Sequence, residues 1–475
     1  MLATLALLPS VAVLVCTLAL RWSGLAAAGA ALATTVFVLL TQISGGAAGE
    51  PVARAVPDAG VLTLIVAAMI VPGLLFVEAT RRRDAPEAIG GVIASLSLAP
   101  AREAILVAVG VGVAIESLTG MGVSLLITVP ILLRLTDQNR AIGLGLIGMS
   151  LMPWGALAIS AHVGSKLVGL PIETFAGWVA IVSGPVAFVL PWLCVLLIGA
   201  RRWSDHVVAL LAGAVLWGVL ALTTRFLGIE LAGAFGGLAV LVFLAATAGA
   251  RDGLGAALKA RGLRPYFWLL GAVIVQKLAL ALLGTESRAL VIATDRVSFA
   301  LLTSPGVALL AATLLAAADG LDAHTVRIVL ARAWRPITSI AIFMLSARLL
   351  TECGAIGALA GLIEGLGSNG AVVATVLLGA MGGFITGSGV TSSALFMPSA
   401  TAAGASLGQV PLFAALQNGA GGHVAMASLP VAALLLASLP NRGVGAEATT
   451  MHWGLLLAAC HICLLIITGI VLVHG

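Results

Sequence analysis

Charge is what this chain has least of. Only 9% of its 475 residues are Asp, Glu, Lys or Arg, against about 25% in an ordinary soluble domain. So few charges cannot clothe a soluble protein of this length. No hydrophilic stretch is long enough to fold as a separate soluble domain. Aromatic residues are also sparse, at 5% with a single tyrosine. They are not interleaved with the basic residues, which excludes a nucleic-acid platform. The five cysteines, Cys16, Cys194, Cys353, Cys460 and Cys463, lie scattered in apolar runs and make no disulfide scaffold. Cys460-His461-Ile462-Cys463 has CxxC spacing, but its surroundings are lipid-like, and redox or metal chemistry needs polar, accessible ones. No Walker A, HExxH or partnered GxSxG motif occurs. Gly110-Val111-Gly112 begins a GxG with no dinucleotide fold after it. The expectation is a protein that is not an enzyme and has no nucleotide to drive it.

What is abundant is apolar. Hydrophobic residues make up 61% of the chain, and the mean hydropathy is +1.17. An all-α polytopic membrane protein follows, since a span needs about 20 mostly apolar residues. Candidate runs are 2–20, 24–43, 60–79, 103–116, 118–133, 141–161, 174–199, 207–225, 231–249, 266–284, 297–318, 337–351, 371–385, 395–432 and 451–473. Several are short or rich in glycine, as half-membrane hairpins would be. The first run lacks a basic leader and reads as a span, not a cleaved signal. Net charge is +5, and its basic clusters orient the chain. Placing Arg81-Arg82-Arg83 inside, with Arg201-Arg202 and the Arg251, Lys259, Arg261, Arg264 stretch, puts Arg21 inside, and the N-terminus and the loop with Glu50 and Asp58 outside. The membrane would be the cytoplasmic one.

The most informative pattern is a repeat. Thr119-Gly120-Met121-Gly122-Val123-Ser124 recurs as Thr386-Gly387-Ser388-Gly389-Val390-Thr391, an offset of 267 (386 − 119). Pro130 and Pro398 follow the two copies. The same offset carries 2–20 onto 269–287, Arg21 onto Arg288, 60–79 onto 327–346 and Arg81 onto Arg348. Residues 1–206 and 266–475 then form two repeats, joined by 207–265. The charge assignment gives them opposite orientation. Inverted repeats with broken helices meeting at the midplane are an architecture of secondary transporters.

Each break is chemically suited to an anion. Backbone at membrane depth must be hydrogen-bonded or line a wet cavity. Around the second break, Thr386, Gly387, Ser388, Gly389, Thr391, Ser392 and Ser393 offer hydroxyls and an approachable main chain ahead of a helix start, a natural carboxylate seat. Thr119, Gly120, Gly122 and Ser124 would face them. Gln417-Asn418-Gly419-Ala420-Gly421-Gly422-His423 is a further polar stretch, and Gln417 and Asn418 join the candidate site. Small polar residues also serve tight helix contacts in membranes. From Gly365 to Asn441 there is no Asp, Glu, Lys or Arg. Glu116 is isolated beside the first break; an intramembrane carboxylate is expensive unless paired, protonated or wetted. It and His423 are the candidates for moving a proton, each with a hydrogen-bonded packing role as the alternative. Arg348 reads as a span-end residue reaching the interface. Lys166 and Lys277 suggest no role.

Gly383-Phe384-Ile385-Thr386-Gly387-Ser388, Leu395-Phe396, Ala402-Ala403-Gly404, Gly421-Gly422 and Met426-Ala427-Ser428 resemble the lactate permease family. In the first half, Gly120, Gly122 and Pro153-Trp154-Gly155-Ala156 resemble that family's glycine-rich segment. The motifs cover roughly 110–160 and 375–430. The resemblance implies a proton-coupled carrier of small 2-hydroxy monocarboxylates such as L-lactate or glycolate. This chain departs from the family pattern at Ser393, where members often carry Asn, and at Ser428-Leu429-Pro430. The partners expected are a small organic anion and the lipid bilayer, with a homodimer left open. No cofactor or metal is expected beyond a coupling ion, H⁺ first and Na⁺ second. The rival readings are a Na⁺-coupled di- or tricarboxylate carrier and an integral-membrane enzyme.

Overall fold

The computed structural model describes residues 2–20, 22–42, 49–82, 85–120, 122–248, 260–283, 290–317, 321–440, 443 and 445–475. Arg21, Arg83, Met121, Arg251, Lys259 and Arg288, used above, lie outside the described residues. Among the described residues the chain is helical, apart from one antiparallel pair of strands, Val291–Ala293 with Ser298–Ala300. Among them, eight helices are long and apolar enough to cross a membrane, and three bent pairs would raise the number to eleven. The protein is an all-α, multi-pass membrane protein. A helix satisfies its own backbone groups, which lipid would leave unpaired.

Several span boundaries differ from the sequence expectation. Run 2–20 is divided into Leu2–Ala6, Leu8–Leu14 and a π-helical turn, Val15–Ala19. Pro9 opens the second piece, as proline at a first helical turn does. Runs 103–116 and 118–133 are two arms of one broken hairpin. The second arm, Val123–Leu135, has 13 residues, about 20 Å at 1.5 Å each, too short for a core of about 30 Å. Runs 60–79 and 337–351 are only the middle or end of longer helices, Gly49–Arg81 and Ala323–Glu352. Run 395–432 divides into Gly389–Ser406, Val410–Val424 and part of Leu429–Ala437. Run 297–318 begins in the strand hairpin, passes through a 3-10 turn at Leu301–Thr303 and becomes α-helical at Pro305.

The two long helices pack antiparallel. Arg348 is bonded to Asp58 near one end, and Arg332 lies 3.7 Å from Glu78 towards the other. There Arg82 bonds Thr325 and lies 3.4 Å from Asp322. Gly24–Gln42 packs on Ala323–Glu352, and Pro305–Ala316 packs on Gly49–Arg81. Glu50 and Asp58 are therefore helical, not in a loop. Asp58 can be buried because Arg348 and the Thr294 hydroxyl, 2.5 Å away, meet its charge. Arg348 is likewise buried and does not reach the interface. Its guanidinium gains more from that carboxylate than from solvent.

Helix bounds recur in the two halves. The helical stretch 100–119 precedes the first break, and Gly367–Thr386 precedes the second, each end displaced by 267. Arms Val123–Leu135 and Gly389–Ser406 follow, with Pro130 and Pro398 inside them. Between the halves, Trp203–Phe226 and Ile229–Thr247 form an antiparallel pair, and Ile229–Thr247 also packs on Val113–Thr119.

Candidate functional site

Both breaks line one cavity of about 1300 Å³. The first break ends helix Val113–Thr119. Gly120 turns the chain at φ +64° and Gly122 at φ +75°, a region that favours glycine. The second break ends helix Gly367–Thr386 at Gly387, φ +67°. Thr119, Gly120 and Gly122 reach the cavity from one side. Thr386, Gly387, Ser388, Gly389 and Thr391 line it too. Thr17, Ser23, Ser160, Arg335, Ser339 and Glu447, which the sequence did not single out as site residues, add to the polar part of the wall.

The two breaks cap their second arms differently. At the first, the Glu116 carboxylate accepts the Gly122 amide at 3.1 Å and the Ser124 hydroxyl at 2.7 Å. A protein carboxylate thus occupies the N-terminal end of Val123–Leu135. At the second, the repeat counterpart of Glu116 is Gly383 (383 − 116 = 267). A side chain there would meet the Gly421 carbonyl, so no protein carboxylate can take the equivalent place. Ser388 Oγ accepts the Thr391 amide at 3.3 Å. The amides of Gly389 and Val390, in the first helical turn, have no carbonyl behind them to bond. Both residues lie on the cavity wall. Thr386 Oγ donates backwards to Gly382 O at 2.8 Å and lies 3.2 Å from Ser388 O, so it braces this break, and the nearby amides are the donors the break offers.

The remaining predicted residues lie behind the wall. Ser392 donates to Gly379 O at 2.7 Å, and Gln417 donates to Ser392 O at 2.9 Å. Asn418 donates to Ser160 O at 3.1 Å and to Ser393 Oγ at 3.2 Å. These four side chains are buried and tie the second-break helices to one another and to the first half. Ser124 is buried against Glu116 and Met149. His423 is buried, with Nδ1 2.6 Å from Ser150 O. None of the six lines the cavity. Glu116 does, and of the two proton candidates it alone touches the cavity space.

The wall also holds a turn of the wrong hand. Ala156, Leu157 and Ala158 have φ of 40°, 55° and 62°. A left-handed conformation costs roughly 1–2 kcal/mol per non-glycine residue. Ala156 faces Gly120 so closely that a Cβ on Gly120 would fall 2.6 Å from its own. This places a strained segment against the first break. The Pro153-Trp154-Gly155-Ala156 stretch was visible in the sequence, but its handedness was not, because neither Ala nor Leu advertises positive φ.

Lys277, without a role in sequence, lies 2.9 Å from Glu230, which His162 approaches to 3.2 Å. All five cysteines are free. No family model matches the chain, and a search of curated proteins finds no match.

Proposed function

We propose that this chain is a secondary carrier of small organic anions built from two inverted-topology repeats, and that the anion's carboxylate sits at the second break. The observation that carries this reading is the asymmetry of the two breaks around one cavity. The first helix N-terminus is already occupied by Glu116, while the second offers amides and hydroxyls and no protein anion. Helix N-termini favour carboxylates by their dipole and open N–H groups. Glu116 on Gly122 and Ser124 is an internal example of the contact a substrate would make at Gly389 and Val390.

The inverted-repeat reading is supported by packing. The offset equates Gly49–Arg81 with most of Ala323–Glu352, and these helices lie antiparallel. A two-fold relation would carry the Asp58–Arg348 contact onto 325–81, and Arg82 indeed bonds Thr325. With Arg81 and Arg82 inside, the exposed rim residues Trp22, Trp334, Arg335 and Glu447 lie on the cytoplasmic side. The cavity then faces the cytoplasm, and the Asp58–Arg348 pair closes the outer end. Proton symport of an L-lactate-like acid, in the cytoplasmic membrane with the N-terminus outside, is the substrate and coupling we favour. The cavity exceeds the roughly 300–1,000 Å³ of pockets for drug-sized ligands, so most of it would be a vestibule to the carboxylate seat.

The test is uptake of radiolabelled L-lactate into proteoliposomes, with and without an imposed pH gradient. Uptake that the gradient stimulates and a protonophore removes supports the reading. Uptake that follows a Na⁺ gradient and prefers a dicarboxylate would replace it. Absence of uptake for every small organic acid tried, with protein shown to be folded, refutes it.

A further inference from the structure

Outside the cavity, three fully buried rings meet. Trp154, His423 and His461 are all shielded from solvent. Ring centroids are 6.3 Å apart for Trp154 and His423, and 5.8 Å for His423 and His461. They come from three separate places: the turn Met152–Trp154, the end of Val410–Val424 and the middle of Ala446–His474. A helix of 29 residues rises about 1.5 Å per residue, so its middle falls near the membrane midplane.

The ring nitrogens are poorly satisfied. His423 Nδ1 has its Ser150 carbonyl. Among the described residues, His423 Nε2 and Trp154 Nε1 have no hydrogen-bond partner, and the His461 ring, with two nitrogens, has the His423 backbone as its one polar neighbour. Two buried hydroxyls nearby are in the same condition. They are Ser117, beside Glu116 in sequence and close to Trp154 across Gly233, and Ser183, which faces Gly419. Buried polar atoms without partners are uncommon and point to a role that packing does not supply.

We propose that His423 and His461 together form the binding site of the coupling ion, and that this ion is a proton. The proposal rests on the carrier reading and names its coupling residues. Na⁺ is a hard cation that takes oxygen ligands; this pair presents imidazole nitrogens. The step is a simple proton transfer. A lone pair on one imidazole nitrogen takes the proton, the new N–H shares it with the facing ring, and release reverses this with no other bond changed. A transport cycle supplies the alternation, since a site dry in one state and wetted in another takes up and gives off a proton. The link to the cavity is short: Leu429 and Pro430, on its wall, follow His423 by six and seven residues, across a 42° bend. Other titratable groups on the surrounding elements do not compete for the pair. Arg140, Lys166, Glu173, Glu447, His452 and His474 are exposed, and His162 is directed to Glu230. Cys460 and Cys463 flank His461 on its own helix, and Cys194 is a buried thiol on Gly184–Ile198. Within the CxxC stretch it is the histidine, not the cysteines, that this geometry selects.

The experiment compares wild type with His423→Gln and His461→Gln in proteoliposomes. Radiolabelled L-lactate is the probe, measured both as pH-gradient-driven uptake and as exchange at equal pH. Either variant is expected to lose gradient-driven uptake at least tenfold while keeping exchange. Retained gradient-driven uptake overturns the proposal. So does equal loss of both activities with lowered thermal stability, which marks a packing role. If wild type neither takes up nor exchanges L-lactate, the carrier reading for this acid fails, and a second measurement decides the site. Purified protein carrying ¹⁵N-histidine is titrated from pH 5 to 8. Two ring signals that shift together, and change when either residue is replaced, support a shared proton. Signals that stay neutral and independent throughout overturn it.

Discussion

Replacing Asp58 by Asn isolates the energetics of the buried Asp58–Arg348 ion pair. Asp58 and Arg348 retain 5% and 8% of their side-chain exposure, and the Thr294 hydroxyl bonds the same carboxylate. An amide in place of the Asp58 carboxylate would leave the guanidinium buried without a counter-charge, and Arg348 Nε already lacks a partner. Breaking a buried pair from one side costs about 3–5 kcal/mol. The molecule holds its own control. Glu50 and Arg54 form an i,i+4 pair on the same helix at 69% and 54% side-chain exposure, where solvent-exposed pairs contribute about 0–1 kcal/mol. Thermal or denaturant unfolding in detergent, followed by intrinsic tryptophan fluorescence, should therefore rank Asp58→Asn far below Arg54→Ala in stability. A double variant, Asp58→Leu with Arg348→Met, should recover most of the loss, because a buried pair can often be exchanged for apolar side chains at little cost. If Asp58→Asn is no more destabilising than Arg54→Ala, Arg348 must find solvent or another anion, and the buried pair described here is wrong.

Other expectations are more local. Thr386→Val should lower transport without abolishing membrane insertion, since the hydroxyl that braces the second break on Gly382 O is lost; normal uptake would remove this residue from the site. Ala158→Gly should leave stability unchanged or raise it by up to about 1 kcal/mol, because glycine accepts positive φ. In a right-handed helix the same change would cost about 1 kcal/mol, so a loss of that size in unfolding would contradict the left-handed turn. Asp322 caps Ala323–Glu352 outside the span; its carboxyl is held below the ordinary value first by the Thr325 hydroxyl and then by the Thr325 amide. A lowered value means the cap is intact above the ordinary carboxylate range and fails as pH falls through the lowered one. Protection of the amides at 323–326 against exchange should fall in acid in wild type, and Asp322→Asn should lack this acid step.

Local features of the sequence were the legible ones. Hydropathy gave the helical membrane class, and the Thr-Gly motifs marked both breaks, because glycine at positive φ leaves a trace in composition. Partners far apart in sequence left none. Asp58 and Arg348 are 290 residues apart, so a loop acid and an interfacial arginine were the natural readings of each alone. Gln417, Asn418, Ser392 and Ser393 had the chemistry of ligand contacts, but membrane-buried polar groups bond one another as readily as a substrate, and packing decided which. His461 was masked by the cysteines on either side of it.

The glycines behind the second break have a consequence for how the molecule can move. Side chains at Gly383 and Gly421 would strike the facing backbone or Ser392, and Gly379 faces Gln417 O just as closely. Gly367–Thr386, Gly389–Ser406 and Val410–Val424 are therefore in main-chain contact and stitched by Ser392 and Gln417. Such a seam has no slack to shear. The same seam runs on into the first half, where Gly422 lies against the Pro153 backbone, Asn418 bonds Ser160 O and His423 bonds Ser150 O. Any relative movement within the bundle has to be taken up away from this seam, towards the long antiparallel helices Gly49–Arg81 and Ala323–Glu352.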